Sequence, residues 1–145
     1  MNNRAVMLTL GYAGLLPFYG FLAAAWSLED WPGAISVQGF IIYSLGILCF
    51  LAGTLWGRVQ SFDAPHKARL LVSNGLVLFA VAAVLTAQAW LASLALMTGY
   101  LALLWYEQGG ESLPSWYGVM RRNLTLGVVL AHGLFFTVQS VQMAS

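Results

Sequence analysis

Charge is confined to a few short stretches of this chain, and that confinement limits what it can fold into. Residues 5–28, 31–57, 70–106 and 123–145 contain no Asp, Glu, Lys or Arg. A helix needs about 20 apolar residues to cross a hydrocarbon core of about 30 Å, and every one of these runs is long enough. Only 8% of the 145 residues are charged, against roughly 25% in a soluble domain. Too little polar surface remains to coat a water-soluble globule, so the chain reads as an all-α integral membrane bundle. The formal net charge of +1 gives no basis for a nucleic-acid partner. A single cysteine, Cys49, excludes an internal disulfide and a Cys-based zinc cluster.

The number of spans turns on the run 70–106. As one helix its 37 residues would extend roughly 55 Å, far beyond the hydrocarbon core. Two spans need a tight reversal, and Thr86-Ala87-Gln88-Ala89 is the one polar break available, without Gly or Pro. Charge placement decides the count. With five spans, at about 5–25, 37–57, 69–87, 89–106 and 121–142, the segments on the N-terminal side hold Arg4, Arg58, Lys67, Arg69, Arg121 and Arg122, which are all six basic residues. The opposite side holds Glu29 and Asp30. Four spans would move Arg121 and Arg122 across. The positive-inside rule therefore predicts five spans in a single transmembrane domain, N-terminus in the cytoplasm (or matrix) and C-terminus out, which in a bacterial inner membrane means N-terminus cytoplasmic and C-terminus periplasmic.

Several local features belong to this layout. Residues 5–25 have the basic start, apolar stretch and Ala23-Ala24-Ala25 of a signal peptide, but the long apolar stretch reads as a retained anchor. Pro17 lies mid-span and should kink the helix or free a carbonyl for a neighbour to satisfy. Residues 26–36 read as a connection with turn chemistry at Pro32-Gly33, and Trp26 and Trp31 as belt residues. Residues 58–69 and 107–117 read as polar loops. In the second span, Gly39, Gly46 and Gly53 fall seven apart and Gly57 completes a GxxxG step. With Ser44, Cys49 and Ala52 they give one flank of little bulk, which lets a neighbouring backbone approach closely where lipid supplies no drive for helix pairing.

Three stretches carry a resemblance. They are Gly11-Tyr12-Ala13-Gly14-Leu15-Leu16-Pro17-Phe18, then Tyr43 to Gly53 with Trp56-Gly57, then Pro114-Ser115-Trp116-Tyr117 with Arg121 and Leu124-Thr125. In these the chain resembles an uncharacterised family of small multi-span proteins, the domain of unknown function 3429, found in bacterial inner membranes and, through transmembrane protein 69, in mitochondria. The chain departs from it in having Ser73-Asn74-Gly75 where the family tends to have proline, and Glu107 where it often has aspartate. The resemblance implies a topology and no activity.

On the five-span layout the distinctive residues gather at the inner face. Arg58, Arg121 and Arg122 with Trp56, Trp116 and Tyr117 can hold an anionic head group, as basic pockets between helices do. They equally fit arginines retained inside by topology and aromatics sitting in the belt. His132, near the middle of span five, is the second candidate, because intramembrane ionisable groups mark functional sites. It can relay protons, bind a quinone oxygen or ligate haem iron, although His66, the only other histidine, lies in a loop. The alternative is a neutral histidine hydrogen-bonded between helices. Asn74 reads as helix glue, and Tyr12, Tyr19 and Tyr43 as packing residues with hydroxyls bonded to backbone.

The chain has no GxxxxGK[ST], GxGxxG, HExxH or GxSxG motif, and no cofactor is expected. The layout leaves every span without a carboxylate, which argues against a transporter driven through an intramembrane Asp or Glu. Asn123-Leu124-Thr125 fits the glycosylation pattern but would face inward. Two functional readings follow. One is a non-catalytic protein packing through Gly39, Gly46, Gly53 and Gly57 against a larger membrane complex, a second copy or membrane lipids. The other is a small enzyme or carrier for lipid or quinone with an inner-leaflet site around Arg121, Tyr117, Trp116 and His132.

Overall fold

The computed structural model describes residues 2–60, 67–109 and 115–145. His66 in the 58–69 loop and Pro114 in the third motif lie outside the described residues. The described chain is helical, in the order α1 (Asn3–Ala13), α2 (Leu16–Ser27), α3 (Asp30–Gln60), α4 (Lys67–Thr86), α5 (Ala89–Gln108) and α6 (Ser115–Ala144). Counting α1 and α2 together, five helices are long and apolar enough to cross a membrane. The shortest, α4 and α5, have 20 residues each, or about 30 Å at 1.5 Å per residue.

The uncharged run 70–106 is divided at Ala87–Gln88, between the end of α4 and the start of α5. Ala87 N–H still bonds Ala83 C=O, and Gln88 C=O accepts from Ala92 N–H, so the reversal leaves few backbone groups unmet. The first span breaks at Gly14-Leu15, and Pro17 sits in the first turn of α2. A proline is tolerated there because its missing N–H would have been an orphan donor. The break leaves the Gly14 carbonyl exposed to a neighbour, and Tyr43 on α3 donates its hydroxyl to it at 2.8 Å. Tyr19 donates likewise to Gly127 C=O on α6 at 2.7 Å. Tyr12 differs: its hydroxyl accepts from the Asn123 amide, at 3.4 Å. We expect Tyr43→Phe to lower stability by about 0.5–1.5 kcal/mol, read from unfolding in mixed micelles.

Three expectations on local structure are corrected. The connection over 26–36 shrinks to Leu28–Glu29, because α3 starts at Asp30 and takes Pro32-Gly33 into its first turn. Proline fits a helix start as well as a turn, and Asp30, at φ 54°, makes the reversal instead. The 107–117 loop is also shorter, since α5 runs to Gln108 and α6 begins at Ser115. Asn74 is exposed. The bond between spans comes from its neighbour Ser73, which donates to Ala52 C=O on α3 at 2.8 Å.

Helices α2, α3, α5 and α6 pack in a ring, each against the next, while α4 lies outside against α3 and α5. Along α3 the buried residues Phe40, Ser44, Leu48, Ala52 and Leu55 recur at steps of four and three, the period of one helix face. Phe18, Phe40, Tyr100, His132 and Phe135 fill the ring's centre, and each is buried. Phe40 stacks on Phe135 at 4.3 Å between centroids. Two glycines are explained by close approach. A Cβ on Gly39 would lie 2.5 Å from the Phe21 ring, and one on Gly99 would lie 2.8 Å from Leu48. At Gly46, Gly53 and Gly57, by contrast, a Cβ would meet nothing within 4 Å. Gly46 and Gly53 are exposed, whereas Gly39 admits a helix of this chain. α1 buries none of its residues and packs chiefly against α6.

Candidate functional site

Antiparallel packing brings the C-terminal ends of α3 and α5 beside the N-terminal end of α6. Arg58, Glu107 and Arg121 meet there, at what we call the basic end. The Arg121 Nε donates to Glu107 Oε2 at 3.0 Å and its Nη2 to Oε1 at 3.3 Å. This two-point pairing uses the planar fork that makes Arg–carboxylate bonds directional and strong. The Glu107 side chain is 0% exposed and that of Arg121 3%, so neither charge could persist without the other. Arg58 Nη2 lies 4.0 Å from Glu107 Oε1, and the Arg58 guanidinium sits over the Tyr117 ring at 5.8 Å. Glu107 overturns the expectation that no span holds a carboxylate: it occupies the last turn of α5, within a membrane-length helix. Pairing is what makes its burial possible there.

Of the six residues expected at this end, three come together: Arg58, Tyr117 and Arg121. Trp116 packs edge-on against the Tyr117 ring at 5.8 Å and carries the Arg4 guanidinium over its own ring at 5.2 Å. Trp56 is 42% exposed and Arg122 is exposed, so neither belongs to the cluster.

A cavity of about 430 Å³ opens beside the cluster, between the first, second and fifth spans. Leu10, Phe18, Leu51, Tyr100, Leu124 and Val128 supply much of its wall, and Tyr117, Arg121, Thr54 and Thr125 its polar groups. Its size falls in the usual range for small-molecule sites, about 300–1,000 Å³. The broken first span accounts for it. Gly11 and Gly14, both in the wall, contribute no side chain, and α1 is not drawn into the ring. Within the wall Thr125 is 1% exposed, and its hydroxyl has no hydrogen-bond partner.

His132 lies outside that wall, in the centre of the ring, at 0% exposure. Its Nδ1 is 2.7 Å from Val128 C=O and its Nε2 is 2.7 Å from Ser44 Oγ. A carbonyl can only accept, so Nδ1 carries the proton and Nε2 accepts from the serine hydroxyl. Tyr100 donates to Ser44 C=O at 2.7 Å. Phe18, Phe40 and Tyr100 surround the imidazole with centroids at 5.7, 5.0 and 5.5 Å. Both ring nitrogens are occupied, and the arrangement ties α3, α5 and α6 together rather than offering a ligand position. Among the described residues no group of three or more His, Cys, Asp or Glu is placed to hold a metal ion.

Glu107 and Thr125 are the site residues that sequence reasoning did not single out. A signal existed for the first. Glu107 and Arg121 flank a short connection between two antiparallel helices, which returns them to the same depth.

These features define a multi-pass helical membrane protein with a lateral apolar cavity ending in a buried charge cluster. The family model for a protein of unknown function, DUF3429, matches residues 3–137, and the chain belongs to that family. No curated protein and no solved structure matches it.

Proposed function

We propose that this is a non-catalytic protein of the bacterial inner membrane that holds a lipid between its first, second and fifth spans. The cavity of about 430 Å³ carries the reading. Its wall is apolar over most of its length, and its polar groups lie toward the basic end, the pattern that suits an amphiphile entering from the bilayer. The six basic residues on one side of the layout support a cytoplasmic N-terminus, so the site belongs to the inner leaflet. The exposed Gly46 and Gly53 leave α3 a face on which a helix of a larger complex or of a second copy can approach closely.

The test is native mass spectrometry of the protein extracted in mild detergent. A lipid adduct that survives activation is expected, and Leu51→Trp, which fills the cavity, should remove most of it. A wild-type spectrum without adducts would overturn the reading. Reporters fused at Met1 and Ser145 should report from opposite compartments. Signal from the same one would overturn the orientation.

A further inference from the structure

We infer that the ligand is an anionic, ester-linked glycerolipid, its phosphate held at Arg121 and an acyl carbonyl accepting from the Thr125 hydroxyl. The inference rests on the lipid-binding reading above and goes beyond it by naming the head group and the linkage. Three observations carry it.

The first is charge. Among the described residues two guanidiniums share one carboxylate, Glu107, which leaves an excess positive charge there. Arg58 Nη2 is buried without a hydrogen-bond partner. Arg58 lies behind the cavity wall, whereas Arg121 is part of it, so an anion in the cavity would meet this excess charge at Arg121. The second is the Thr125 hydroxyl, which is 1% exposed, lies in the cavity wall and has no acceptor. Hydroxyls at this depth normally find a partner in the protein, and a ligand carbonyl is the partner the cavity can admit. The third is spacing. Thr125 follows Arg121 by four residues on α6, one helical turn, so it lies about 6 Å deeper on the same face. That is comparable to the distance a glycerol backbone puts between a phosphate and its nearest acyl carbonyl. Beyond Thr125 the wall is Val128, Leu15 and Phe18, which suits the start of an acyl chain. A quinone would supply the carbonyl but leave the excess positive charge unmatched.

The test compares lipids on the delipidated protein in detergent, read as bound fraction by native mass spectrometry. The probes are dioleoyl phosphatidylglycerol, its dialkyl ether analogue, which lacks the carbonyls, and dioleoyl phosphatidylcholine. Wild-type protein should bind the ester phosphatidylglycerol about tenfold more tightly than its ether analogue, the worth of one buried hydrogen bond. It should bind phosphatidylcholine more weakly than either phosphatidylglycerol. Thr125→Val should bring the ester-to-ether affinity ratio to about one, and Thr125→Ser should restore the preference. Equal wild-type binding of the ester and ether lipids would overturn the carbonyl assignment. Equal binding of the two head groups would overturn the anionic assignment, since both lipids carry a phosphate and only phosphatidylglycerol carries a net negative charge. Either result leaves lipid binding itself standing, whereas failure to bind any of the three would sink the parent reading as well. The wild-type comparison needs no variant to fold.

Discussion

Glu107→Ala is expected to destabilise the protein by about 3–5 kcal/mol, the cost of stranding a buried charge. The partner left behind is Arg121, with a side chain 3% exposed and both of its bonds to the carboxylate gone. Arg58 would not relieve it, since a second guanidinium beside the first adds repulsion. The measurement is the unfolding midpoint in mixed micelles. A double variant sharpens the test. Glu107→Leu with Arg121→Leu removes both charges and should recover most of the loss, because a well-packed apolar pair often equals a buried ion pair in stability. If Glu107→Ala alone unfolds at the wild-type midpoint, the pair is not a structural element.

His132→Ala should cost a similar amount, about 3–5 kcal/mol. The substitution empties the centre of the ring, where Phe18, Phe40 and Tyr100 all face the imidazole. It also strands the Ser44 hydroxyl, whose partner is His132 Nε2. Ser44→Ala removes only a hydrogen bond and should cost about 1 kcal/mol. A double-mutant cycle should then show a coupling of about 0.5–1.5 kcal/mol between the two positions. Lipid occupancy in His132→Ala, measured on the protein that remains folded, should stay close to wild type, because His132 is absent from the cavity wall. A selective loss of bound lipid with no change in stability would move His132 from the core into the binding site.

The five-helix layout was legible because it depends on local quantities. An uncharged run of twenty residues or more is a property of one segment, and the six basic residues could be sorted by counting crossings. The backbone acceptors of Tyr19 and Tyr43 were legible for the same reason: a phenol inside a membrane must find an acceptor, and main-chain carbonyls are the acceptors a helical bundle offers. The ends of the helices were less so. Pro32-Gly33 is equally compatible with a turn and with the first turn of a helix, and nothing within that segment distinguishes them. Ser73 and Asn74 are adjacent polar residues, and which one faces a neighbour depends on the rotation of α4 against α3.

By itself the chain's pattern of charge and apolar length determined that it is a multi-pass all-α bundle with its cations gathered at one end, since the bilayer tests each segment separately. Tertiary packing decided the rest. It buried Glu107 by supplying Arg121 from another helix, it brought Ser44 from α3 to Nε2 of His132, and it left a cavity where the broken first span fails to close on α3 and α6. Each of these depends on groups far apart in sequence meeting at a fixed distance, and a membrane interior favours such a meeting because an unmatched charge or hydroxyl there has no water to fall back on.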